Sequence, residues 1–104
     1  GSFQPTMQEI DGETIRNALV VVDSRESALN ETGDIVTPIK QGLITPEHIH
    51  AEIGEIINAT KSGRSSHDEI TFFKSCGVAV QDVVTASIAL KNAERENLGK
   101  ICIL

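Results

Sequence analysis

Positive charge is scarce in this chain: nine lysines and arginines stand against fifteen aspartates and glutamates, a net charge of -6 over 104 residues. Binding nucleic acid through its phosphates requires a basic stripe that displaces counterions, so nucleic acid is not an expected partner. Cysteine is also sparse. Cys76 and Cys102 fall in what read as separate elements and make no disulfide framework, so reduced thiols and a cytoplasmic setting are expected. No apolar run approaches membrane-spanning length, and no basic segment followed by an apolar stretch opens the chain, so no membrane partner is expected. Internal repeats, low-complexity tracts and a glycine-rich phosphate loop are all missing from these residues.

What is there suits one globular unit, with 39% hydrophobic and 23% charged residues. Asp11 is placed to cap a short helix with Glu13 in its first turn. Ala18 to Asp23 (ALVVVD) is a continuous β-branched run without alternation, which predicts a strand covered on both faces, as in a parallel sheet. Ser24 reads as the cap of a helix through about Glu31, with Gly33 in the left-handed position that ends helices. Residues 34–45 contain Pro38 and Gly42 and predict a connection with at most a turn or two of helix. Thr45-Pro46-Glu47 predicts a helix start, and Ile49, Ile53, Ile56 and Ile57 an apolar stripe on a helix running to about Ala59. A polar loop follows over 61–68, then a strand from Ile70 to Ser75. A long helix is expected from Gly77 to about Leu98 with Gly99 as its cap, followed by a short terminal strand or docked tail at 101–104. The amino half of that helix is apolar around much of its circumference and predicts enclosure by further polypeptide.

The break at Ser75-Cys76-Gly77, where a strand turns directly into a helix, is the feature with chemical content. Such a joint presents backbone N–H groups at the carboxyl end of a strand, the place where open α/β sheets bind ligands. His48, His50, Glu52 and Glu55 superficially suggest a metal site. On a helix the two histidines would lie about 200° apart, and His48 with Glu52 reads as an ordinary surface pair, so no metal is assigned.

The opening GSFQPTMQEID, then VVVDSRESAL with ETGDI, HAEIGEII with GRSSHDEITFFKSCGVAVQD, and the closing LGKI together resemble the carboxyl-terminal part of the ornithine cyclodeaminase, mu-crystallin and archaeal alanine dehydrogenase family. The resemblance covers essentially the whole chain in family order. It implies an α/β fold, the distal part of a Rossmann-type parallel sheet plus a long C-terminal helix leading to a dimerisation domain. Residues 1–75 would be the last βα units of an NAD(P)-binding domain, and 76–104 the helix and tail that return to the substrate and dimerisation domain. The implied activity is an NAD- or NADP-dependent oxidoreductase acting on an amino acid, imino acid or cyclic imine as a small-molecule substrate, in a homodimer. The 104 residues alone are expected to be inactive.

By the same resemblance, Gly1, Ser2, Phe3 and Ser75 would line the cofactor, and Cys76 and Glu31 the substrate side. All but Phe3 have a plainer alternative. Ser75 suits a helix cap, Gly1-Ser2 is also what cloning leaves at a chain start, Cys76 suits a small buried thiol, and Glu31 a solvated helix end. Phe3 stands where ornithine cyclodeaminases and archaeal alanine dehydrogenases carry a proton-transferring aspartate, so a ketimine-reductase-like activity is expected in preference to those two. Met7 replaces a cofactor-facing lysine of the ornithine cyclodeaminase pattern. Two rival readings remain: a non-catalytic mu-crystallin-like binder of small ligands, and a self-contained α/β module that engages a partner through its long helix.

Overall fold

The computed structural model describes residues 1–100 and 102. The expected terminal strand or tail at 101–104 lies outside the described residues apart from Cys102, which is exposed.

Helix α1 (Gly12–Asn17) starts where expected, with Asp11 Oδ1 accepting from Thr14 N at 2.9 Å. It feeds strand β1 (Leu19–Val22), from which helix α2 (Arg25–Glu31) follows at once, capped by Ser24. Strand β3 (Thr71–Lys74) and helix α5 (Ala79–Arg95) also match the expected elements. The β-branched run in β1 has a simple cause: β1 is the middle strand of a three-stranded parallel sheet ordered β2-β1-β3, where β2 is Ile49–Glu52. A middle strand meets protein on both faces and has no position that favours a polar residue. Val20 and Val22 are fully buried among Ile15, Ala28, Ile35, Ile44 and Ile49, which form the core on one side of the sheet.

Four expectations are corrected. Strand β2 stands where a helix was expected from Thr45 to Ala59. Pro46 opens only a short 3-10 turn over Pro46–His48, β2 follows, and a five-residue helix α4 (Ile53–Ile57) closes the segment. The isoleucine spacing fits both periods, and pairing decides between them. Ile49 and Ala51 are buried against β1 while His50 and Glu52 stay partly exposed, the alternation of a strand. The pairing carries a register shift between Val20 and Val21, and the Arg25 guanidinium donates to the carbonyls of Ile49 and His50 beside it. His48 is therefore in a turn and His50 in a strand, and His48 Nε2 lies 2.9 Å from the Ile15 carbonyl.

Gly33 does not end α2 in a left-handed conformation. Thr32 closes α2 and caps helix α3 (Gly33–Lys40), which begins at Gly33. A glycine is needed there for space: a Cβ would lie 2.2 Å from the Met7 carbonyl oxygen and 2.8 Å from that of Pro5. Segment 34–45 holds the two turns of helix expected, but it builds the core as well as connecting it, since Asp34, Ile35, Pro38 and Ile44 are buried. Finally, Asn97 rather than Gly99 turns the chain at the end of α5. Asn97 has φ 53°, Leu98 N bonds to Ala93 O at 2.8 Å and Asn97 N to Glu94 O at 3.3 Å, a Schellman closure.

No element among the described residues packs extensively on α5, and Val80, Val83, Val84, Ile88 and Leu90 are all more than half exposed. No helix of the described residues is long and apolar enough to cross a membrane.

Candidate functional site

The carboxyl ends of the strands gather the groups that matter. Asp23 follows β1, and Ser75, Cys76 and Gly77 follow β3. Asp23 N bonds to the Lys74 carbonyl at 3.2 Å, carrying the β1–β3 pairing one residue past the strands. Asp23 then turns its carboxylate across the joint. Oδ2 accepts from Ser75 Oγ at 2.8 Å and from Gly77 N at 2.8 Å, while Oδ1 accepts from Ser24 N at 2.8 Å. Gly77 adopts φ 89°, which aims its N–H at Asp23 and which an L side chain rarely tolerates. Burial pushes the Asp23 carboxyl up, but the Ser75 hydroxyl and the N–H groups of Gly77, Cys76 and Ser24 outweigh it, so Asp23 ionises below its ordinary value.

This arrangement corrects the expectation of free N–H groups at Gly77 alone, since the first turn of α5 carries no side-chain cap. The Gly77 N–H is already engaged by the Asp23 carboxylate, which places a negative charge at the crest. Ser75 is likewise not the cap of α5, a position held by Val78 with no side-chain cap bond. It is an exposed hydroxyl fixed by Asp23, with its oxygen lone pairs left to accept.

The loop of residues 1–10 lies beside this crest. Ser2 is buried, its hydroxyl bonded to Thr32 Oγ1 at 2.7 Å and to the Met7 carbonyl, so this side chain is spent on structure. Gly1 and Phe3 are exposed, Phe3 at 63%. Phe3 offers an exposed apolar face with no titratable group. Cys76 is partly buried, and burial first, then the charges of Asp23 and Glu31, push its thiol up. Glu31 itself is exposed at the end of α2. A raised thiol pKa leaves little thiolate, so Cys76 is no activated nucleophile. Alkylation by iodoacetamide at neutral pH, followed by mass spectrometry, should modify Cys76 more slowly than the exposed Cys102; equal or faster labelling of Cys76 contradicts this.

Three residues without a role in the sequence reading form a charge cluster under the crest, in which Lys74 and Asp34 are buried and Glu9 is exposed. Lys74 Nζ lies 3.0 Å from Asp34 Oδ2 and 3.1 Å from Glu9 Oε2. Asp34 is 1% exposed and also accepts from Glu9 N at 2.6 Å and Ile10 N at 3.2 Å. The sequence did carry a signal: a lysine inside Phe72-Phe73-Lys74, in a strand of a covered sheet, needs a partner. Among the described residues, no three histidine, cysteine, aspartate or glutamate side chains converge as a metal site would require.

Residues 1–97 match the model of the ornithine cyclodeaminase/mu-crystallin family. A Delta(1)-pyrroline-2-carboxylate reductase of Bacillus cereus is 48% identical over 101 residues, 96% of this chain and 31% of that protein. An alanine dehydrogenase of Archaeoglobus fulgidus is 42% identical over 99 residues, 95% of this chain and 30% of that protein. The structure of Thermococcus litoralis Delta(1)-pyrroline-2-carboxylate reductase in complex with NADH and L-proline superposes with a TM-score of 0.86 at 45% identity, over 94% of this chain and 30% of that one. The chain thus spans about a third of the length of the relatives it matches. With a matching parallel sheet, a matching long helix and this degree of identity throughout, the chain belongs to the ornithine cyclodeaminase/mu-crystallin family.

Proposed function

We propose that this chain is the carboxyl-terminal part of an NAD(P)-dependent oxidoreductase that reduces a cyclic imine carboxylate of the Delta(1)-pyrroline-2-carboxylate class. The observation that carries this reading is the 48% identity to the Bacillus cereus reductase across nearly the entire chain. Residues 1–75 complete a Rossmann-type domain, and 76–104 run toward a substrate and dimerisation domain, in a homodimer.

The residues present fit one end of the dinucleotide. A crest that carries the Asp23 carboxylate, with the Gly77 N–H already engaged by it, suits the uncharged or cationic nicotinamide ring better than the pyrophosphate. A Cβ built on Gly77 would meet no heavy atom within 4 Å, so the backbone there is open to close approach. Gly1, Phe3 and Ser75 form the cofactor wall, with Ser2 buried behind it rather than lining it, while Cys76 and Glu31 border the substrate. When bound, NAD(P)H supplies hydride to the imine carbon. Asp23 holds the Ser75 hydroxyl in place, and Phe3 excludes water from one side. The proton that the imine nitrogen requires comes from a group other than residue 3.

Alanine dehydrogenation is the second reading, favoured by the Archaeoglobus relative and disfavoured by Phe3. The test is turnover by the whole enzyme, followed through the absorbance of reduced nicotinamide. Delta(1)-pyrroline-2-carboxylate should be reduced at least about tenfold more efficiently than pyruvate plus ammonia. Preference for pyruvate plus ammonia overturns the cyclic-imine assignment, and binding of imine without turnover supports a non-catalytic ligand binder instead.

A further inference from the structure

We infer that Lys74 is a positioning residue for the nicotinamide end of the site: its ammonium fastens the loop bearing Gly1–Phe3 to the strand end bearing Ser75, and so sets the separation of the two walls. This rests on the dinucleotide reading above and assigns a role within it.

Lys74 is the last residue of β3 and directly precedes Ser75. Its side chain is only 9% exposed, and burial works against its charge, but Asp34 and Glu9 more than restore it and hold Lys74 protonated beyond its ordinary range. The route from this ammonium to the opposite wall is short. Glu9 Oε2, 3.1 Å from Nζ, also accepts from Ser2 N at 2.8 Å. Asp34, 3.0 Å from Nζ on its other side, accepts from Glu9 N and Ile10 N, and the same α3 terminus carries Thr32, which holds the Ser2 hydroxyl. Among the described residues, the Lys74–Glu9 contact is the sole hydrogen bond between segment 1–10 and segment 71–77; the remaining bonds of the loop run within itself or to α3. The loop and the Ser75 crest therefore share one direct tether, and it is ionic.

Stability alone is a weak reason for this design. Replacing a buried ionic cluster by well-packed apolar side chains of similar volume is often neutral or favourable, whereas paired charges demand one geometry. Lys74 fixes a distance, on this account, more than it holds the sheet together. Glu9 suits the same purpose, since the Ser2 N–H foremost and then Lys74 hold its carboxyl down to about 2, so the tether keeps both its charges around neutral pH.

The test separates the nicotinamide from the rest of the dinucleotide. Affinities of the whole enzyme for NADH and for ADP-ribose, which lacks the nicotinamide, are compared by calorimetry for the unsubstituted protein, Lys74→Met, Lys74→Arg and Glu9→Gln. The expected result is a roughly tenfold loss of NADH affinity in Lys74→Met with ADP-ribose unchanged within about twofold, a smaller loss in the same sense for Glu9→Gln, and recovery in Lys74→Arg. Equal losses for both ligands, or no loss for either, overturn the positioning role while leaving the dinucleotide reading intact. Should Lys74→Met fail to fold, Glu9→Gln decides, because Glu9 is exposed and a glutamine retains the acceptor for Ser2 N. An unsubstituted enzyme that binds neither ligand overturns the dinucleotide reading and the positioning role with it.

Discussion

Gly33→Ala should unfold the sheet or cost more than about 3 kcal/mol, beyond the usual range for overpacking. The added methyl would stand 2.2 Å from the Met7 carbonyl oxygen, 2.8 Å from the Pro5 carbonyl oxygen and 2.9 Å from the Met7 carbonyl carbon. All three are backbone atoms, so no rotamer change relieves the clash. The loop also cannot simply retreat: Gly33 N donates to Gln4 O, Ser2 is bonded to Thr32, and Asp34 takes the N–H groups of Glu9 and Ile10. Displacing the loop would break several bonds to buried groups together. The measurement is the denaturation midpoint followed on methyl resonances of Val20 and Val22, and a loss below about 1 kcal/mol would show that the loop gives way freely.

Asp34→Ala carries the other large expected effect, about 3–5 kcal/mol, the usual penalty for removing one partner of a buried ion pair. It strips Lys74 of its closer carboxylate and orphans the N–H groups of Glu9 and Ile10. The pH dependence follows from the directions of the shifts. Burial pushes the Asp34 carboxyl up, but the Glu9 N–H, Lys74 and the Ile10 N–H outweigh it, and in the folded state it ionises below its ordinary value. Its contribution is therefore complete above about pH 4 and is lost as the pH falls through that lowered folded value. Lys74 is shifted upward, so its share is complete below about pH 10 and disappears as the pH rises through the raised folded value. Asp34→Ala should accordingly flatten the acid limb of the stability profile as well as lower its plateau. An unchanged acid limb would mean that other carboxylates, Glu9 among them, carry the acid sensitivity.

The parts of this fold legible in the sequence were those where local pattern and tertiary demand agree. VVVD reads as a strand because a middle parallel strand is apolar on both faces, and Ser24 and Asp11 read as caps because both perform the local bond that defines a cap. Where a pattern admits two structures, the decision came from afar. The isoleucines of 49–57 suit a helix until the edge of β1 claims Ile49 and Ala51. Gly33 looked like a helix end because glycine's usual reason is a positive φ, whereas here the reason is a carbonyl from a loop nearly thirty residues earlier. The joint at Ser75-Cys76-Gly77 was visible, but the state of the Gly77 N–H was not, since its acceptor, Asp23, lies just past the end of another strand. Lys74, Asp34 and Glu9 are far apart in sequence, and no local spacing announces their meeting.

The bare flank of α5 has a consequence for how the chain comes apart. Seventeen residues of helix with little packing against the sheet lean on their own backbone bonds and a C-terminal closure, a footing on which isolated helices are marginal in water. Melting of that helix is thus decoupled from melting of the strands, and the 104 residues depart from a single cooperative step. Since α5 is also the longest helix, far-ultraviolet ellipticity weighs heavily toward the piece that says least about the sheet.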